Sequence, residues 1–201
     1  MNKFTNRYIV VYITILVVLI ATVLSVVSLS LQPLQEKNRN EEKITQILNA
    51  AGYYEVAKDT AIHFFNQIAQ RDSAYPNREV YRMIYANGTI GRVIYVNGKG
   101  LWGPIWGYVA LDESMREING VVFAHKSETP GLGAKIVDEA FTAQFREKRI
   151  VDEQGNFVSV QVVKGVSPIT EEHRVDAISG ATITSKAVGD MLYSSLKEVI
   201  E

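Results

Sequence analysis

The chain has no cysteine among its 201 residues. It therefore cannot form a disulfide, a thiolate metal site or a cysteine-held iron–sulfur cluster. Its three histidines, His63, His125 and His173, are scattered without the spacing of metal ligands. We therefore expect no metal centre in this protein.

The sequence also lacks an excess of either charge, with 21 lysines and arginines against 22 aspartates and glutamates. No basic cluster interrupts this balance, which argues against nucleic acid as a partner. A dinucleotide site is not indicated, because no Gly-x-Gly-x-x-Gly motif opens a βαβ unit. No nucleophile, base and orienting group form a recognisable catalytic trio either, so we expect no catalytic side chain.

Charged residues are missing altogether from residues 8–33, and the apolar run continues through Leu31. This length exceeds the roughly 20 residues that a transmembrane helix needs. A cleaved secretory signal is the alternative, but the run is longer than a usual signal core and no clear Ala-x-Ala site follows it. We expect an uncleaved, single-pass anchor over residues 1–34.

Lysine and arginine do not fix the orientation of this anchor in the membrane. Lys3 and Arg7 precede its apolar run, whereas Lys37, Arg39 and Lys43 follow that run. Both flanks are basic, so the positive-inside rule favours neither topology.

Residues 35–52 predict a helical stalk, because charged residues are interleaved with apolar ones at helical spacing. Ile44, Ile47 and Leu48 lie on the apolar side of this segment. Gly52 follows where a helix C-cap is expected.

Residues 53–201 predict one α+β domain built on an antiparallel sheet. Asn87-Gly88, between two strand-like segments, is typical of a tight hairpin turn. The last helix carries an apolar stripe that includes Met191, which we expect to pack in the core. The predicted strands cover residues 80–86, 92–96, 105–111, 120–124 and 157–163, and the predicted helices cover residues 56–69, 139–148 and 185–200.

A hydroxyl-rich turn precedes the last helix, with the sequence Asp-Ala-Ile-Ser-Gly-Ala-Thr-Ile-Thr-Ser over residues 176–185. Its hydroxyls are mixed with residues that have little or no side chain, in the order Ser179, Gly180, Ala181, Thr182 and Thr184. A bulky anion can therefore approach the backbone N–H groups that open the helix. The segment predicts a phosphate site, and an ordinary helix N-terminus is the alternative.

A second motif, Glu-Thr-Pro-Gly-Leu-Gly over residues 128–133, follows a predicted strand. Its Pro-Gly step favours a rigid turn. Polar groups of this loop are suited to the edge of a planar ring, while Leu132 covers one face. Taken alone, the motif is more typical of a plain strand-to-helix loop. The candidate contact residues are Glu128, Thr129, Gly131, Leu132 and Gly133.

Together the two motifs resemble those of the FMN-binding subunits of the sodium-pumping NADH:quinone oxidoreductase and the related Rnf complex. In that family, the threonine that closes Ser-Gly-Ala-Thr carries FMN through a phosphoester bond, which implies covalent FMN on Thr182. The resemblance also implies that an FMN transferase recognises Asp176, for which an Asx-type turn residue is the alternative. The bound FMN would supply the redox chemistry.

Trp102 and Trp106 are further candidates for FMN contact, because a large aromatic ring suits a planar partner. Packing on a sheet face is the alternative for both residues. The run Gly-Leu-Trp that ends at Trp102 is similar to the C subunit of the sodium-pumping reductase rather than to the G subunit of the Rnf complex.

The resemblance implies an electron-transfer subunit that works with other integral-membrane subunits of a sodium-pumping NADH:quinone reductase. It further implies a place in the bacterial inner membrane, with the C-terminal domain on the periplasmic side. The alternatives are the equivalent Rnf subunit, a stand-alone membrane-tethered FMN-binding module and a purely structural anchor subunit.

Overall fold

The computed structural model of the chain describes residues 6–165 and 169–200. The chain divides into two compact units, with the boundary between Glu42 and Lys43. The long helix α1, Asn6–Ala50, contributes residues to both units.

The first unit is the earlier part of α1, in which the side chains of residues 6–34 are exposed. The hydroxyls of Thr14, Thr22 and Ser30 donate to carbonyl groups four residues earlier in the helix. These polar groups are thus satisfied within the helix, as an apolar surrounding requires. Among the described residues, α1 is the one helix long and apolar enough to cross a membrane, a criterion that a signal sequence also meets.

Pro33 lies inside α1. Proline has no N–H group, so the carbonyl of Leu29 lacks its usual helical partner. The helix nevertheless continues to Ala50, and the predicted anchor and stalk segments share one element as far as that residue.

The second unit contains a five-stranded antiparallel sheet with helices packed on both faces, which confirms the predicted α+β class. The strands are β1 Ala69–Arg71, β2 Val80–Ile84, β3 Ile90–Lys99, β4 Pro104–Leu111 and β5 Ile118–His125, and they lie side by side in chain order. The helices are α2 Lys58–Ile68, α3 Glu139–Thr142 and α4 Thr182–Ile200, with short 3-10 turns at Gly133–Val137, Ala143–Phe145 and Glu171–His173. A separate parallel pair consists of β6 Gln161–Val163 and β7 Arg174–Asp176.

The predicted hairpin between β2 and β3 is confirmed. Gly88 has a φ of +79°, and its N–H donates to the carbonyl of Tyr85 at 2.9 Å.

Two other predicted elements are shorter in the structure. The strand predicted over residues 157–163 is reduced to β6, because Ser159 has a φ of +61° and interrupts the extended backbone. The helix predicted over residues 139–148 consists of α3 and the 3-10 turn that follows it.

Both faces of the sheet are buried, and β4 shows the alternation clearly. Ile105 and Val109 belong to the core cluster that includes α4, whereas Tyr108 and Ala110 belong to the cluster that includes the end of α1 and α2. Successive residues of a strand point to opposite faces, so the position of each β4 side chain follows from this register.

On the face opposite α4, Glu79 connects the end of α1 to the sheet. Its Oε1 accepts a hydrogen bond from the Tyr108 hydroxyl at 3.0 Å and lies 2.8 Å from Lys43 Nζ. Burial, reinforced by the negative charge of Glu79, raises the pKa of Tyr108. The Tyr108 hydroxyl therefore keeps its proton and donates a hydrogen bond to Glu79.

On the other face, α4 lies close against β3. A Cβ built on Gly98 would lie 2.9 Å from Cβ of Met191, so the helix approaches the strand at a distance that leaves no room for a side chain. The backbone N–H of Asn97 also donates to Oγ of Ser195 at 3.4 Å. The close approach of Gly98 and Met191 sets the position of α4, and with it the position of Thr182 at its first turn.

Candidate functional site

The structure separates the hydroxyls around the start of α4 into two groups. Thr184 and Ser185 are buried, with 1% and 0% of their surface exposed. Thr184 donates to Glu128 Oε2 at 2.7 Å, and Ser185 Oγ accepts the N–H of Ile178 at 3.1 Å. Ser179 and Thr182 are exposed, and neither hydroxyl has a hydrogen-bond partner among the described residues.

Thr182 is the first residue of α4. The N–H of Ser185 donates to the carbonyl of Ala181 at 2.9 Å, which is the first hydrogen bond of the α-helical pattern. The preceding N–H groups, on residues 182–184, have no helical acceptor and carry the positive end of the helix dipole. Such a terminus binds a phosphate readily.

Glu128 lies beneath this turn and is only 4% exposed. Its Oε1 accepts the backbone N–H of Trp102 at 2.9 Å, and its Oε2 accepts the hydroxyl of Thr184. The carboxylate thus connects three segments, which are the β3–β4 connection, residues 128–133 and the first turn of α4. Glu128 and Thr184 are both predicted ligand contacts, and in the structure their side chains are hydrogen-bonded to each other.

The loop of residues 128–133 has an exposed outer surface and an ordered backbone. The carbonyl of Thr129 accepts the N–H groups of Leu132 and Ala134, both at 3.1 Å, and Gly131 has a φ of +77°. Thr129, Gly131 and Leu132 are exposed, while Gly133 is buried against Glu128. A Cβ built on Gly180 would lie 2.9 Å from Cδ2 of Leu132, so this loop and the turn before α4 are in contact.

The two tryptophans lie in different places. Trp102 is 66% exposed and is joined to Glu128 through its backbone N–H. Trp106 is only partly exposed and is paired in register with Asn97 and Ala124. Because Ile105 faces the α4 side of β4, Trp106 faces the opposite side, with Tyr108. The structure therefore brings Trp102, but not Trp106, to the segments around Thr182.

Asp176 ends β7 and is exposed. Its carboxylate pairs with Arg174 at 3.1 Å, and its backbone N–H donates to Oε1 of Gln144 at 3.0 Å. No Asx-turn hydrogen bond of Asp176 is present among the described residues. The carboxylate is accessible from solvent on the chain segment that leads to Thr182.

Comparison with known proteins identifies the family. A family model described as "FMN-binding domain" matches residues 100–197. The C subunit of the Na(+)-translocating NADH-quinone reductase from Neisseria meningitidis serogroup A is 31% identical over 229 residues, covering 93% of this chain and 87% of the relative. The chain belongs to the C-subunit family of this reductase. The C subunit from Vibrio vulnificus is 36% identical over 146 residues, covering 70% of this chain and 57% of the relative.

Solved structures agree with this family assignment. The crystal structure of the C subunit from Parabacteroides distasonis superposes with a TM-score of 0.76 at 32% identity, covering 85% of this chain and 95% of that chain. The crystal structure of Shewanella oneidensis NqrC superposes with a TM-score of 0.67 at 21% identity, covering 81% and 98%, and supports the fold alone. The resemblance of the sequence motifs to the C-subunit branch is thereby confirmed.

The residues around Thr182 fit FMN in charge and in shape. The free N–H groups of the first turn of α4 suit a phosphate, and Gly180 keeps the approach to the backbone open. Exposed apolar side chains on the three connected segments offer surface for a planar ring, and they are Leu101, Trp102, Leu132 and Ile183. Leu101 and Ile183 were not predicted from the sequence, because exposure of an apolar side chain is decided by the tertiary fold.

A cavity of about 420 Å³ beside Thr182 was also not predicted. It lies between β6 and α4, where its lining includes Lys186, Tyr193 and Ser159. Ser159 is 1% exposed, and its Oγ has no hydrogen-bond partner among the described residues. Ser159 has a positive φ, which no sequence pattern around it indicates.

The Gly-x-Gly-x-x-Gly spacing does occur at Gly98, Gly100 and Gly103, but it belongs to a hairpin. The N–H of Gly100 donates to the carbonyl of Gly103 at 2.8 Å, between the antiparallel strands β3 and β4. A dinucleotide fingerprint instead requires a strand followed by a helix. These glycines therefore do not form a dinucleotide site.

The contact between Gly180 and Leu132 can be tested with Gly180→Ala, using Gly88→Ala as a matched control. Both glycines have a positive φ, +77° and +79°, but only Gly180 has a close neighbour. We expect each variant to lower the free energy of unfolding by about 1 kcal/mol because of backbone strain. Gly180→Ala should cost more, because the new Cβ displaces Leu132. Thermal unfolding of the two full-length variants measures the difference, and equal losses would show that the contact imposes no constraint.

Proposed function

We propose that this chain is the FMN-carrying electron-transfer subunit of a membrane-bound, sodium-translocating NADH-quinone reductase. Relatives named as part of such a reductase are 31% and 36% identical to it, and the FMN-binding family model spans residues 100–197, which include Thr182. The apolar part of α1 has the length and composition that a membrane subunit needs.

We propose further that FMN is attached to Thr182 through a phosphoester bond. The observation that supports this choice is that Thr184 and Ser185 are buried and hydrogen-bonded within the domain, whereas Thr182 is exposed. An ester at Thr184 would remove its bond to Glu128, and an ester at Ser185 would crowd the N–H of Ile178. Thr182 is exposed at the start of α4, so it can be modified without breaking a contact within the domain.

The surrounding residues would hold the cofactor in distinct ways. The N–H groups of the first turn of α4 would bind the phosphate, and Gly180 and Ala181 would leave room for it. Leu132 and Trp102 would cover the ring, with Thr129 and Gly131 at its edge. When bound, FMN supplies electron-transfer chemistry, while the protein supplies position, shielding and electrostatics. Trp106 would pack on the opposite sheet face instead.

Other proteins would complete the function. NADH would bind elsewhere in the complex, because the described residues contain no strand-to-helix glycine motif, and the integral-membrane subunits of the reductase would exchange electrons with this one. A separate FMN transferase would make the phosphoester bond during maturation. The exposed carboxylate of Asp176, six residues before Thr182, is available for recognition by that enzyme.

We propose that residues 1–34 form a single-pass anchor in the bacterial inner membrane, residues 35–52 a stalk and residues 53–201 a periplasmic FMN-binding domain. A covalent bond suits a carrier outside the cytoplasm, because FMN that dissociated there would be lost. Basic residues flank the apolar segment on both sides, so the orientation needs an independent test.

Protease added to intact spheroplasts tests this orientation. We expect digestion of the C-terminal domain, detected with an antibody against residues 185–200, while a cytoplasmic control protein remains intact. Protection of the domain until the membrane is permeabilised would contradict the periplasmic assignment.

The covalent site is tested by intact-protein and peptide mass spectrometry of the chain from its native membrane. We expect the peptide that contains Thr182 to be heavier by one FMN less one water. Thr182→Ala should lose this addition completely, and Ser179→Ala, which removes the other exposed hydroxyl, should retain it. An unmodified wild-type peptide, or an addition that persists in Thr182→Ala, would refute attachment at this residue.

A further inference from the structure

Glu128 is a buried carboxylate without a cationic partner among the described residues. It is 4% exposed, and no lysine, arginine or histidine of the described chain forms an ion pair with it. Removing a carboxylate from water without such a partner is unfavourable. The hydrogen bonds that the carboxylate accepts must therefore offset this cost.

Those hydrogen bonds come from two segments that are distant in sequence. Oε1 accepts the N–H of Trp102 at 2.9 Å, and Oε2 accepts the hydroxyl of Thr184 at 2.7 Å. The backbone N–H of Glu128 itself donates to Nδ1 of His125 at 3.3 Å, which connects the residue to the end of β5. Hydrogen bonds to an ionised group are stronger than those between neutral groups.

Two glycines enclose the same carboxylate. A Cβ built on Gly100 would lie 2.5 Å from Oε1, and a Cβ built on Gly133 would lie 2.5 Å from Oε2 and 2.7 Å from Oγ1 of Thr184. The backbone at Gly100 and Gly133 therefore packs directly against both oxygens of Glu128. Glu128 consequently lies beneath the exposed surface around Thr182 and supports it through the hydrogen bond to Thr184.

We infer that Glu128 is a positioning residue, which acts through Thr184 to hold the first turn of α4 and its Thr182-linked FMN in a single geometry. This inference rests on the proposed function. Thr184 follows Thr182 by two residues in the same helical turn, so fixing one fixes the backbone of the other. In this inference Glu128 acts on the cofactor through Thr184 rather than by direct contact, since each of its oxygens already accepts a hydrogen bond from the protein.

A purely structural contact would affect only stability, whereas a positioning contact also changes the environment of the flavin. The visible circular dichroism of bound flavin reports that environment. Thr184→Val removes the hydroxyl at nearly constant volume, and Thr184→Ser retains it. Ser195→Ala is the matched control, because Ser195 also joins α4 to the sheet through a hydroxyl hydrogen bond, 11 residues farther along the helix.

The experiment uses the full-length chain, produced together with an FMN transferase and purified in detergent. Intact mass gives the fraction modified, and visible circular dichroism is compared per bound flavin. We expect the Thr184→Val signal to fall at least about twofold. Without the hydrogen bond to Glu128, the first turn of α4 is held less firmly, and the bound flavin adopts a wider range of orientations. Thr184→Ser should restore the signal. Ser195→Ala should lower the melting temperature but leave the visible circular dichroism per bound flavin unchanged.

Glu128→Gln and the double variant Glu128→Gln/Thr184→Val complete the test. If Glu128 acts through Thr184, the effects of the two substitutions on the flavin signal will not add. Additive effects, or an unchanged signal in Thr184→Val with a lowered melting temperature, would overturn the positioning role alone. A wild-type chain without covalent FMN would instead overturn the proposed function, and the inference with it.

Discussion

The close packing of α4 on β3 determines where the site lies. Gly98 lets Met191 approach the strand, and Ser195 adds a hydrogen bond to the same part of β3. With the body of the helix held there, its N-terminus meets the loop that follows β5 and the connection between β3 and β4. The free N–H groups, the exposed Thr182 hydroxyl and the buried Glu128 come together as a consequence of this packing.

The same packing explains why Thr182, rather than Thr184 or Ser185, is suited to modification. Thr184 and Ser185 face inward and are used for hydrogen bonds within the domain, whereas Thr182 begins the helix on its exposed side. The apolar side chains Trp102 and Leu132 are exposed beside it. A site of this kind needs no catalytic trio, because its cofactor supplies the reactivity and the protein supplies the geometry.

Much of this fold could be predicted from local sequence. The Asn-Gly turn at residue 88 indicated a hairpin, and the paired motifs around residues 128–133 and 176–185 indicated the segments that meet. The side of the sheet on which Trp106 lies could not be predicted, because helices cover both faces and alternation alone does not distinguish them. The positive φ at Ser159 and the parallel β6–β7 pairing depend on tertiary contacts for the same reason. The pairing of Glu128 with Thr184 joins residues 56 positions apart, which local patterns do not reveal.

We propose that FMN on Thr182 carries electrons from NADH toward quinone. The most direct measurement is rapid-mixing spectroscopy of the intact reductase purified from its native membrane, comparing wild type with Thr182→Ala. We expect NADH to reduce the flavin bound to this chain within the turnover time, and the variant complex to assemble but to transfer no electrons to quinone. Quinone reduction at the wild-type rate by an assembled Thr182→Ala complex would contradict the claim.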